Sequence, residues 1–189
     1  MARHDHPPSP LRSLAISGSL DPPPAALLND PLEYYFVEHY RQRSLCAALR
    51  NIAAQRIVPT ALARRVATIL SVDVPQHQLD EEIDLFPALQ RRGTPEDDLH
   101  KIIARLRKDR AQADRIRTAL VSVLSIPCED ARLTINSRDA TLMASYAAGQ
   151  HRHLAIENGI LLVIARRRLG GGDVQAMSQS MKRRRGIHF

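Results

Sequence analysis

Two pairs of residues share one spacing: His77 with Glu81, and His153 with Glu157. On a helix, residues i and i+4 project from the same face about 6 Å apart along the axis, so each pair aims an imidazole and a carboxylate in one direction. Each pair is followed by apolar residues, "IDLFPAL" after the first and "ILLVIA" after the second, so the shared face belongs in a core. His39 falls on a third apolar stripe, with Leu32, Tyr35, Phe36, Cys46, Leu49 and Ala53 at steps of three, four and seven. A single histidine on such a face is ordinarily a hydrogen-bonded core residue. Three intrusions including two glutamates are different, because burying an uncompensated carboxylate costs several kcal/mol or forces it to take up a proton. Either these groups pair with one another or they share a metal. Carboxylates from facing helices can bridge two ions while imidazoles cap each side. Imidazole with carboxylate and no thiolate suits iron, zinc or manganese better than copper(I). Among the acidic neighbours, Asp80 and Glu82 read as a solvated face, and Asp84, one heptad after His77, is the one placed to turn inward.

Four long amphipathic stretches carry these residues. "NDPLE" is a helix start, with Asp30 as N-cap, Pro31 at the first helical position and Glu33 reaching back, and that helix ends near Arg56. A second runs from about Thr60 to Gln90, with a kink expected at Pro75. "GTPEDD" stops it and caps a third over about 95–125, whose stripe is Leu99, Ile102, Leu106, Asp109 or Arg110, Ala113, Ile116, Leu120 and Leu124. "SIPCEDARLTINS" reads as a loop. A fourth covers about 138–169, with Leu142, Tyr146, Gly149, His153, Ile156, Glu157, Ile160 and Ile164 on one face. No stretch reads as a strand and no period of 20 to 50 residues repeats, so the expected class is all-α, an antiparallel up-down-up-down four-helix bundle. The expected domains are a disordered Pro-rich leader over 1–29, the bundle over 30–170, and a short basic helix or tail over 171–189. Six of the twelve prolines lie in that leader.

The net charge of +7 is concentrated in the tail, where seven Lys and Arg from Arg166 to Arg185 stand against Asp173. Basic residues at a helix end satisfy its last carbonyls, so a nucleic-acid role is not indicated, although the tail leaves it open. The two cysteines, Cys46 and Cys128, match no metal spacing and are too few for a disulfide framework. With no secretory h-region and no apolar stretch of spanning length, a soluble cytoplasmic protein without a membrane partner is expected. "LGGGD" at 169–173 is a helix stop and no phosphate cradle. No Ser/His/Asp or Cys/His arrangement supports hydrolytic catalysis.

"DPLEYYFVEHYRQRSLC", "HQLDEEIDLFPAL" and "HRHLAIENGILLVIARRRL" resemble, in the same order, segments of the bacterial hemerythrin-like family, the HHE cation-binding domain. The resemblance covers residues 30 to about 170. It implies a non-haem di-iron centre, His39, His77, Glu81, His153 and Glu157 as ligands with both glutamates bridging, and binding or sensing of dioxygen or nitric oxide or handling of iron. Di-iron oxidation or peroxidation is a further implied chemistry. Helix three departs from the pattern: similar proteins read roughly L-x-x-E-H where this chain reads "LRKDR", which sets Arg110 at the expected histidine. Asp109 and His100 are the possible substitutes. Alternatively Arg110, which stays charged, stands where an ion stood and neutralises Glu81 or Glu157. The bundle would then be a metal-poor or metal-free interaction module.

Overall fold

The computed structural model describes residues 20–127 and 130–187. Helix α1 spans Pro31–Gln55; the Asp30 side chain accepts from the Glu33 amide at 3.2 Å, and Arg56, in the left-handed region at φ 60°, closes the other end. Helix α2 covers 60–92 without a break, but its turns are not uniform: Ile69–Asp73 and Glu81–Leu85 are π-helical within α-helical flanks. Helix α3 is Leu99–Leu124, set off from a Thr94-capped turn at Pro95–Asp97 by Asp98 at φ 48°. Helix α4 covers 137–168, α-helical over Ser137–Ile156 and Leu162–Arg168 with a π turn at Glu157–Leu161 between them. Helix α5, Gly171–Arg184, starts inside the glycine run, with Gly170 as its N-cap.

The π turns explain why α2 survives its prolines. Inside an α-helix a proline ring strikes the carbonyl four residues back. For Pro75 and Pro87 those carbonyls belong to Ser71 and Ile83, and both lie in π turns. Each π turn also carries one residue beyond the α-helical count, which shifts the phase of the following stripe. The stripe projected past Glu157 onto Ile160 and Ile164 is therefore displaced: Leu161, Leu162 and Ala165 are buried, whereas Ile160 is exposed. On α1, Phe36 is likewise exposed and leaves the expected stripe, and Leu45 and Ile52 are buried in its place.

Among the described residues the fold is all-α apart from one short antiparallel ladder, Ile57–Pro59 with Arg132–Thr134, paired Val58 to Leu133. That ladder corrects the expectation of no strand. It forms because Arg56 turns the chain at the end of α1 and its Nε donates to the Ile135 carbonyl at 2.7 Å, tying two connections together. Of the leader expected to be disordered, residues 1–19 lie outside the described residues. Disorder does not extend over 20–29, where Leu20 and Leu28 are buried and Ala25–Asn29 forms a 3-10 turn. Cys128 also lies outside the described residues; Cys46 is buried, and burial pushes its thiol up to about 12.

Pairings along the helices run in opposite senses. Glu33 meets Arg166 and Gln42 meets Gln150 between α1 and α4; Glu82 meets Arg107 and Gln78 meets Asp114 between α2 and α3. Two apolar clusters result. One gathers Leu45, Leu49, Val66, Leu70, Leu120 and Met143; the other gathers Tyr35, Phe86, Leu89, Leu106, Leu161 and Leu162. On every helix from α1 to α4 at least one buried polar or charged residue lies between these two sets.

Candidate metal centre

That polar layer consists of His39 from α1, His77 and Glu81 from α2, Arg110 from α3, and His153 and Glu157 from α4, all of them buried. The two His-x-x-x-Glu motifs are built alike, because each histidine lies in the last turn of an α-helical stretch and each glutamate opens a π turn. His39, His77, Glu81 and Glu157 each bring one donor atom into a group whose members all lie within 4.8 Å of one another. His39 Nε2 is 3.1 Å from His77 Nε2, 3.7 Å from Glu81 Oε1 and 3.5 Å from Glu157 Oε2, and His77 Nε2 is 3.4 Å from Glu81 Oε1. Ligands about 2.1 Å from one tetrahedral ion stand about 3.4 Å apart, so these separations match a donor set gathered for a single ion. Glu81 Oε1 and Glu157 Oε2, the two carboxylate oxygens that face His39, are buried without a hydrogen bond. Unsatisfied carboxylate oxygens in a core are costly, and a cation is the partner that relieves them.

The other face of the layer is cationic. Arg110 Nη2 donates to Glu81 Oε2 and lies 3.9 Å from Glu157 Oε1, while its Nη1 donates to Glu82 Oε1 at 3.0 Å. His153 Nε2 is 2.6 Å from Glu157 Oε1. Each central carboxylate is thus divided, one oxygen toward His39 and the other toward Arg110. Burial by itself would depress the His77 imidazole, but Glu81, with Glu157 and Glu38 behind it, outweighs burial and lifts the ring to about 9. Burial would raise Glu81, yet His77, His39 and Arg110 hold it well below the usual carboxylate range. His153 is raised in the same manner, Glu157 overcoming burial. In the metal-free protein the layer is balanced by its own cations.

Of the residues singled out in the sequence, His39, His77, Glu81, Glu157 and His153 converge, with His153 on the Arg110 side of Glu157. The proposed substitutes do not join them. His100 is exposed, and Asp109 is half-exposed, 3.7 Å from Arg105. Arg110 does face inward and pairs with Glu81. Asp80 corrects the reading of a solvated acidic face: it is fully buried, accepts from Arg184 Nε at 3.0 Å and is also held by Arg185. Asp84 is buried as expected but meets Arg184 and no cluster member. Asn158 was not foreseen. Its Oδ1 accepts from His39 Nδ1 at 2.8 Å, which fixes the tautomer that leaves Nε2 free to face the cluster. A buried ligand histidine needs such an acceptor, and the residue after Glu157 was the available signal.

Compared with protein families, the chain matches the hemerythrin HHE cation binding domain over residues 30–176. No curated protein matches it.

Proposed function

The chain belongs to the hemerythrin HHE cation-binding family, and we propose that it is a metal-binding protein whose four-helix, up-down-up-down core holds non-haem iron and takes dioxygen or nitric oxide as a small ligand. The observation that carries this reading is the buried four-donor group of His39, His77, Glu81 and Glu157, whose donor atoms all lie within 4.8 Å of one another. Bound iron supplies a Lewis-acidic, redox-active centre for a diatomic ligand. The chain's own residues do the remainder: Asn158 orients His39, Tyr35 packs its ring edge-on against His77 at 5.7 Å, and Leu and Phe side chains on both sides exclude water. A cavity of about 420 Å³ between α3 and α4, lined by Arg105, Tyr146, Gly149, Arg152 and His153 among others, supports entry of a small ligand from the His153 side. Zinc or manganese fits the same donors. Among the described residues no helix is long and apolar enough to cross a membrane, and a cytoplasmic setting belongs to this proposal.

The test is anaerobic reconstitution with ferrous iron, metal analysis, and exposure to oxygen or nitric oxide. Bound iron with a new ligand-to-metal absorption is the expected result; no bound iron contradicts the reading. A second reading, a metal-free interaction module, is favoured by one observation, the Arg110 to Glu81 pair that neutralises a ligand carboxylate. It predicts a protein that leaves a chelator-free purification without metal and binds none on reconstitution.

A further inference from the structure

We infer that this site takes one metal ion per chain, with the Arg110 guanidinium standing as the second cation between the two glutamates. The inference rests on the metal-binding reading above and concerns how many ions that reading allows. Its basis is the division of each carboxylate. Glu81 Oε1 and Glu157 Oε2 lie 3.7 and 3.5 Å from His39 Nε2, whereas Glu81 Oε2 accepts from Arg110 Nη2 and Glu157 Oε1 lies 3.9 Å from the same nitrogen. Two carboxylates placed to bridge two ions bridge, in this chain, one ion position and a guanidinium.

The guanidinium is fixed there. Nη1 donates to Glu82 at 3.0 Å, the guanidinium carbon sits 5.5 Å from the centre of the Phe86 ring, and the side chain is 8% exposed. Arginine cannot lose its charge at any relevant pH, so a second cation beside it meets undiminished repulsion in a low-dielectric core. Nor does α3 offer an alternative ligand, since His100 is exposed and Asp109 turns toward Arg105. On the Arg110 side only His153 remains as a nitrogen donor, and its Nε2 already lies 2.6 Å from Glu157 Oε1.

The experiment is stoichiometric titration of the metal-free full chain with cobalt(II) without oxygen, followed by its visible absorption and by elemental analysis after desalting. The native protein is expected to saturate at one equivalent. Arg110→His, which removes the fixed charge and adds an imidazole, is expected to saturate at two. Arg110→Lys keeps a cation and is expected to stay at one, which preserves the contrast with charge removal if the histidine variant fails to fold. Two equivalents in the native protein or in Arg110→Lys overturn the inference and leave the metal-binding reading standing. A folded Arg110→His that stops at one equivalent overturns the role given to Arg110. No cobalt in the native protein overturns the metal-binding reading together with the inference.

Discussion

His77, a proposed metal ligand, carries a proton of its own in the metal-free protein. With its imidazole lifted to about 9 from the usual 6.5, it is protonated at neutral pH and paired with Glu81. Such a raised group stabilises the folded metal-free protein fully below about pH 6.5, and that stabilisation is lost as pH rises through about 9. Metal must displace the same proton, so apparent affinity should climb from pH 7 toward 9, with protons released on binding. Calorimetric titration in buffers of different ionisation enthalpy checks this; uptake without proton release contradicts it. Asn158 is the second residue-scale case. Because it orients His39 without touching the ion position, Asn158→Ala should weaken metal binding about 10–100-fold with the fold retained. Competition with a chromophoric chelator reads the affinity, and circular dichroism reads the fold. Helical spacing alone picked out His39, His77, Glu81, His153 and Glu157. It did not pick out Asn158 or Asp80, because their partners are distant in the chain and depend on how helices meet.

At the scale of elements, the π turns and α5 were the least legible features. Local sequence predicted helices of nearly the observed length, since a cap such as Asp30 and a break such as Gly170 act over a few residues. A π turn adds one residue without any break in helicity, so a fixed 3.6-residue period runs out of phase beyond Glu157 and assigns Ile160 to the core where Leu161 belongs. The sequence leaves α5 open as a short basic helix or tail, because the partners of its arginines are not local. Arg184 and Arg185 reach back about a hundred positions to Asp80, which has no exposure to water, and the Lys182 ammonium bonds Asn29. Removing both arginines leaves a buried carboxylate that keeps, among the described residues, a hydrogen bond from Gln76 but no cation. The double variant Arg184→Ala/Arg185→Ala should therefore lose about 3–5 kcal/mol in chemical denaturation. Adding Asp80→Asn should restore a good part of that loss, because an amide tolerates burial better than an unpaired charge. Equal destabilisation with and without Asp80→Asn would contradict the assigned role of α5.

For the whole molecule, the C-terminal cations do not form a free basic patch, because most of them are engaged by other parts of the fold. Of the seven C-terminal cations, Arg166, Arg168, Lys182, Arg184 and Arg185 contact Glu33, Asp97, Asn29, Asp80 and Asp84. The protein should accordingly show only weak nucleic-acid binding that disappears by physiological salt, as measured by fluorescence anisotropy across a salt series. Sub-micromolar binding to duplex or single strands at that salt would contradict this. The organisation that remains is a polar layer between two apolar clusters, fed by one residue or pair from each of four helices and closed on the α3 side by a guanidinium. The most direct test of that arrangement is anomalous diffraction from crystals of the native chain loaded with iron or cobalt. One anomalous peak is expected, coordinated by His39, His77, Glu81 and Glu157, with Arg110 still on Glu81. A pair of peaks with Arg110 displaced, or no peak in the core, would contradict it.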